Sequence, residues 1–316
     1  MSTSTTTTSS SSTTTTTKPQ YDAIGTKYDF FRTHPITQVE AFNLRAAVTP
    51  YLVGVPSAQN GGRGPRVLDL ACGTGHYSRK LLDWGAAYVL GVDVSPEMIE
   101  AANQESSPNT SSGKLEFRVG DALTMGRIVA EDDEEDLFDI VTGVWLLNYA
   151  EDSTQMTQMW NTISANLSGG GVFIGILPPG PHSTSTTTTA GPVPSGEQLD
   201  RFTGRINAKF SSRDRIKRLD NWSLNYFEKL ESGDGWRLEV KGGEPGPGGE
   251  NQVVLRALHL GREIFESSAR RGGMKGSLEW REAERPENAL EIRDQEWWDA
   301  YFEVAAHMSV LIVGKE

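Results

Sequence analysis

One cysteine, Cys72, stands in a chain of 316 residues, so no disulfide can close within it. Such a chain suits a reducing compartment and argues against secretion. Long apolar runs are missing as well: no window approaches the roughly 18 consecutive apolar residues of a membrane helix, and the mean hydropathy is −0.43. The expectation is a soluble, cytoplasmic protein with no membrane partner. Positive charge is in short supply. Thirty Lys and Arg against 42 Asp and Glu leave −12, and six of the acids, Glu131 to Asp136, run together. An acidic surface repels phosphate backbones, so nucleic acid is a poor partner. Residues 2–17 are all Ser or Thr and lack the apolar stretch of a signal peptide and the arginines of a transit peptide. Residues 1–20 therefore read as a disordered tail.

The remaining length allows one large domain or two small ones. Low complexity returns from Pro178 to Pro194, with Ser183–Thr189 at its centre. That composition buries nothing against the entropy of ordering it, which predicts a flexible surface insertion over about 178–199. Gly242–Gly249 holds only turn formers and one acid, and should join two strands or a strand and a helix.

Between these breaks, short β-branched runs alternate with helix-compatible ones. Strands are expected at Arg66–Ala71, Tyr88–Asp93, Leu115–Val119, Phe138–Thr142 and Gly171–Leu177. Helices are expected at His76–Trp84, Pro96–Gln104 and about Thr154–Leu167. Strict alternation implies βαβ crossovers and an α/β, doubly wound, mostly parallel sheet covered on both faces. In such sheets ligands sit outside the carboxyl ends of the strands, so the loops just after the strands carry the function.

The first loop reads Asp69, Leu70, Ala71, Cys72, Gly73, Thr74, Gly75, His76. Two glycines at i and i+2 permit a tight turn, let backbone N–H groups approach a ligand and aim a helix N-terminus at negative charge. A full dinucleotide fingerprint wants a third glycine, but the count from Gly73 lands on Ser78. At the second loop Asp93 ends the strand, with Ser95 and Pro96 placed as N-cap and first helical residue. A carboxylate there can accept both hydroxyls of a ribose. The third loop brings Asp121 beside Ala122 and Leu123, an acceptor next to an apolar wall that suits adenine. Each acid alone has an ordinary reading as a cap or a solvated strand end. Acids and a glycine turn at three successive strand tips point together to a nucleotide-bearing cofactor.

The stretches VLDLACGTGHYSRKLLDWGA, VLGVDVSPEMIEAA, FRVGDAL and FDIVTGVWLLNYA, with YDAIGTKYD ahead of them, resemble class I S-adenosylmethionine-dependent methyltransferases of the small-molecule branch over roughly residues 21–177. The resemblance implies a seven-stranded Rossmann-like sheet within a domain over 21–316, with a hairpin and helix insertion after the fifth strand, and S-adenosylmethionine as cofactor. It implies further that Asp69, Gly73 and Gly75 line the methionine half and that Ala71 is among the cofactor-binding residues. Asp93 would hold the ribose diol, Val94 and Met98 would pack on the adenine, Asp121 and Ala122 would meet its edge, and Val144 would lie near the sulfonium. Tyr21 and Tyr28 would act as lid residues.

Methyl transfer asks mainly for positioning, and a base is needed only when the nucleophile keeps its proton. Candidates for that base are His34, Tyr149, Tyr226, His259 and His307, each with an ordinary structural alternative. Cys72 reads as packing, since nothing nearby marks an activated thiolate. The fourth-strand tip, Thr142, Gly143, Val144, Trp145, lacks the Asn/Asp-Pro-Pro-aromatic pattern of base-amino methylation and offers no acid for a metal. A lone cysteine also leaves no second thiol for cytosine C5 chemistry. The expected enzyme is metal-independent and acts on an O, N, S or C atom of a small molecule; a non-catalytic binding module or a protein methyltransferase are the alternatives.

Farther on, residues 221–227 and 236–240 read as a hairpin, Leu260–Arg271 as a helix closed by Gly272 and Gly273, and Met308–Val313 as a last, antiparallel strand. The hairpin aromatics are expected to wall an acceptor pocket, or else to be core.

Overall fold

The computed structural model describes residues 34–53, 64–105, 113–128, 137–178, 223–242, 253–305 and 308–316. The Ser/Thr tail, the acidic run, Tyr21, Tyr28, His307 and all but the first residue of the expected insertion at 178–199 lie outside them. In chain order the elements begin with helix α1 (Pro35–Val53), strand β1 (Arg66–Leu70), α2 (His76–Asp83), β2 (Tyr88–Asp93), α3 (Pro96–Gln104) and β3 (Lys114–Val119). There follow β4 (Phe138–Val144), a 3-10 turn at Leu147–Tyr149, α4 (Ser153–Asn166) and β5 (Leu167–Leu177). Three strands come next, β6 (Ser223–Lys229), β7 (Gly235–Gly242) and β8 (Val253–Leu260), then α5 (Arg262–Arg271), β9 (Leu278–Glu282), α6 (Ala289–Ile292), α7 (Gln295–Ala305) and β10 (Ser309–Gly314).

Seven strands form one sheet in the order β3-β2-β1-β4-β5-β10-β9. The first five are parallel, and β10 runs antiparallel to both β5 and β9. The expected α/β, doubly wound, Rossmann-like sheet is therefore present. Its central strands are apolar along nearly their whole length, as strands covered on both faces must be. One core layer packs Leu44 and Val48 of α1, Leu81 of α2 and Trp298 of α7 on Ile140, Ile174 and Ile312. The opposite layer packs Trp160 of α4 and Phe265 of α5 on Leu68, Val141, Phe173 and Leu311.

Local chemistry sets the element ends. Ser95 caps α3 by accepting from the Met98 N–H, with Pro96 opening the helix, as the sequence implied. Asp152 caps α4 through the Thr154 and Gln155 N–H groups. β5 starts four residues before the expected Gly171, because Leu167 leaves α4 directly into the sheet opposite Phe138. Lys315 Nζ donates to the carbonyls of Ser164 and Leu167, which the end of α4 leaves without an intrahelical donor.

Two expectations need correction. The inserted hairpin is part of a three-stranded antiparallel sheet, β6-β7-β8, because Val253–Leu260 returns as a third strand where a helix start at Leu260 was expected. Gly261, in an extended conformation, separates that strand from α5. The helices α1, α6 and α7 and the edge strand β9 were absent from the sequence reading. Among the described residues no helix is long and apolar enough to cross a membrane.

Candidate active site

Strand order reverses between β1 and β4, and the carboxyl ends of these two neighbours carry the backbone strain. Ala71, one residue past β1, has φ 59°, and Trp145, one residue past β4, has φ 61°. Such values in residues with a side chain persist only where the surroundings over-determine them, and they cluster at binding sites. The crevice at this switch point is where open α/β sheets bind ligands.

The loop after β1 is built to stay open. Gly73 has φ 54°, and among the described residues a Cβ placed on it would meet no non-neighbouring atom within 4 Å. Gly75, with φ 82°, is needed for a different reason: its Cβ would strike the Phe117 ring and the Arg79 guanidinium. Arg79, nearly buried, donates to the carbonyls of Thr74 and Ala102 and so clamps the loop to α3.

Asp93 faces this loop from the end of β2. Its Oδ2 accepts from the Gly73 N–H at 2.8 Å and its Oδ1 from the Ser95 N–H at 2.9 Å. Beside it Val94 is 44% exposed, and Met98, four residues on in α3, is buried. Asp121 holds its own turn together, accepting from the Leu123 N–H at 2.8 Å, with Ala122 half-buried next to it. Val144 ends β4 and is buried.

Asp69 turns inward. It is 1% exposed, and its two oxygens accept from the hydroxyls of Ser78 at 2.6 Å and Thr142 at 2.8 Å. Burial pushes its carboxyl up to about 6 against the lowering effect of those hydrogen bonds. Ser78 is thus not a defective third glycine; its hydroxyl ties α2 to β1. Burial also drives the Cys72 thiol well above its ordinary range, as does the nearby charge of Asp69 and Asp93, so a thiolate nucleophile there is disfavoured.

The candidate bases separate. His34 is buried at the start of α1, where its Nδ1 accepts from the Ile36 N–H, a capping role. Tyr226 and His259 come together: the phenol oxygen lies 2.8 Å from His259 Nδ1, and both residues are buried. Burial drives the Tyr226 hydroxyl far above its usual range, which keeps it neutral. The pair stands on the face of β6-β7-β8 opposite Leu258 and Leu260, the residues that join the main core. Tyr149 is half-buried in the 3-10 turn after β4.

Two residues of this region carried no signal in the sequence reading. Asn148, in the 3-10 turn, is 3% exposed, and its Oδ1 accepts no hydrogen bond among the described residues. Glu40 of α1 is also buried. Its Oε2 accepts from the Tyr77 hydroxyl at 2.6 Å and its Oε1 from the Trp145 indole N–H at 3.1 Å. No cluster of three His, Cys, Asp or Glu able to hold a metal occurs among the described residues.

Strand order, the glycine loop after β1 and the acid ending β2 agree with the fold that the resemblance to class I methyltransferases implied. Residues 67–171, a third of the chain, match the family model of the methyltransferase domain. Trans-aconitate 2-methyltransferase of Streptomyces coelicolor is 42% identical over 59 residues, 18% of this chain and 20% of that protein. An mRNA cap guanine-N(7) methyltransferase of Caenorhabditis elegans is 32% identical over 126 residues, 38% and 33% of the two chains. The matches cover only 18 to 41% of the lengths of these curated relatives. A solved S-adenosylmethionine-dependent methyltransferase of Clostridium acetobutylicum covers 84% of this chain and 90% of its own, at 15% identity and a TM-score of 0.48.

Proposed function

We propose that the protein transfers the methyl group of S-adenosylmethionine to a small acceptor molecule without a metal. The observation that carries the reading is the pairing of Asp93 with Gly73, since a carboxylate at the tip of β2 shapes the glycine loop from the position where a ribose diol would meet it. The residues fit the cofactor in kind: free volume beside Gly73, an acceptor at Asp93, exposed Val94 for the adenine face and Asp121 with Ala122 for its edge. Bound S-adenosylmethionine supplies a methyl already activated on a sulfonium. The protein's part is to hold the acceptor in line near the tips of β1 and β4 and to exclude water. Asn148 offers a buried oxygen there for an acceptor's O–H or N–H.

A net charge of −12 weighs against an RNA acceptor despite the likeness to a cap methyltransferase. The partial likeness to trans-aconitate 2-methyltransferase, whose name gives a small acceptor, weighs for a metabolite. One cysteine and an acidic chain fit a cytoplasmic enzyme.

Calorimetric titration with S-adenosylhomocysteine tests this. One-to-one binding is expected. In Asp93→Ala the affinity should fall tenfold or more, since each charge-assisted hydrogen bond to a ribose hydroxyl is worth roughly 1.5 to 3 kcal/mol. Unchanged affinity in a folded variant would remove Asp93 from the site. Tight binding with no turnover on any metabolite pool would favour a non-catalytic binding module.

A further inference from the structure

Three asparagines are buried among the described residues, and two of them show how this fold uses such a side chain. Asn43 of α1 donates to the carbonyls of Val39 and Glu284 and accepts from the Glu284 N–H, which staples the helix to the segment after β9. Asn166, the last residue of α4, donates to the carbonyls of Gly126 and Thr162 and accepts from the Ile128 N–H, which fixes the segment after β3. Asn148 is the exception. It is 3% exposed, yet its Oδ1 has no hydrogen-bond partner among the described residues. A carbonyl oxygen stripped of water and given nothing in return destabilises a fold, so an apolar side chain of the same size would serve the folded chain better.

The neighbours of Asn148 hold it in place. The Trp145 N–H donates to the Ile176 carbonyl, which keeps the chain beside β5 for one residue beyond the end of β4. Leu146, Leu147 and Ala150 then enter the core layer that includes Leu258 and Leu260 of β8. Asn148 thus sits in a turn anchored between the tip of β4 and the inserted sheet. On the cofactor reading above, Asp93 and Asp121 draw the nucleoside toward β2 and β3, which leaves the β4 side of the crevice to the acceptor. We propose that Asn148 is an acceptor-binding residue whose carbonyl oxygen orients an O–H or N–H of the methyl acceptor, a requirement that selects hydroxyl- or amine-type acceptors over ionised carboxylates. A carbonyl oxygen accepts and cannot donate, so a carboxylate brings it no hydrogen. An amide is no base, and its part is orientation rather than proton removal. The proposal rests on the methyl-transfer reading.

Stability and turnover together test it. In Asn148→Leu the urea midpoint should stay level or rise, because an unpartnered polar atom leaves the core, whereas in Asn166→Leu, the partnered control, it should fall. With labelled S-adenosylmethionine at pH 8 and a panel of phenols, alcohols, amines and carboxylates, label should pass to compounds that carry an O–H or N–H. The KM of Asn148→Leu for the labelled compound should then rise roughly tenfold, while affinity for S-adenosylhomocysteine changes less than twofold. A lower midpoint in Asn148→Leu, an unchanged KM or a preference for carboxylates would overturn the proposal. Should Asn148→Leu not fold, Asn148→Ala decides by the KM alone. Wild-type protein that binds S-adenosylhomocysteine yet labels neither the panel nor a metabolite extract would instead overturn the transfer reading.

Discussion

Asp69 shows what burial does to one carboxyl group. Its ionised form costs more in the folded chain than in the unfolded one, so between pH 3.8 and about 6 the folded state keeps a proton that the unfolded chain has released. Stability contributed by this group therefore falls as pH rises through that window and is level above it. At about 1.4 kcal/mol per pH unit the whole effect is about 3 kcal/mol. Asp69→Asn should remove that slope: urea unfolding at pH 4, 5, 6 and 7 should show the wild type losing about 3 kcal/mol relative to the variant. Parallel pH profiles would mean that Asp69 ionises freely in the folded protein. The glycine loop and Asp93 were legible in the sequence because backbone geometry and strand-tip position demand particular residue types close together in the chain. Glu40 was not, because its partners lie 37 and 105 positions away and an acid on a helix reads as a solvated face until the fold buries it.

Elements meet on surfaces that only the packed structure reveals. α4 and α5 cross where Gly272 follows the last residue of α5, and a Cβ there would collide with Trp160 and the backbone of Asn161. Its φ of −78° is open to any residue, so what the position requires is space. Gly272→Ala should push the helices apart and cost roughly 1 to 3 kcal/mol in urea unfolding; unchanged stability would show that α5 can slide along α4 at no cost. The sequence marked Gly272 correctly as a helix end but not as a contact. The same divide explains which elements were legible. Parallel strands and their crossover helices announce themselves by apolar runs between caps, as Tyr88–Asp93 and Pro96–Gln104 do. β9, five residues at the sheet edge of which none is fully buried, has no such run. α1 carries a proline at position 50 and no acid in its first turn, so neither end is signalled.

At the scale of the molecule, the two sheets are unequally secured. The seven-stranded sheet has deep apolar layers on both faces, whereas β6-β7-β8 has a small cluster of its own in which Tyr226 and Leu238 are the buried members. Fewer buried contacts mean a lower free energy of local opening. Hydrogen exchange read by mass spectrometry should show the amides of β6 and β7 exchanging well before those of β1, β4 and β5. Equal protection would mean that the inserted sheet unfolds only with the core. The sequence foresaw aromatics after β5 but could not say which face they cover, because a hairpin's register and its third strand depend on a partner segment beyond the Gly/Pro-rich turn.

The position of β10 bears on how the chain reaches this state during synthesis. β10 pairs with β5 on one side and β9 on the other. As the ribosome releases β5, the edge that will receive β10 faces solvent with its hydrogen bonds unmade, and its partner is still roughly 130 residues from being translated. The half of the sheet that includes Asp93 can form early. The other half must wait, so a nascent chain passes through a stage with the tips of β1, β2 and β4 in place and an unprotected, apolar strand edge, which calls for a chaperone or prompt closure.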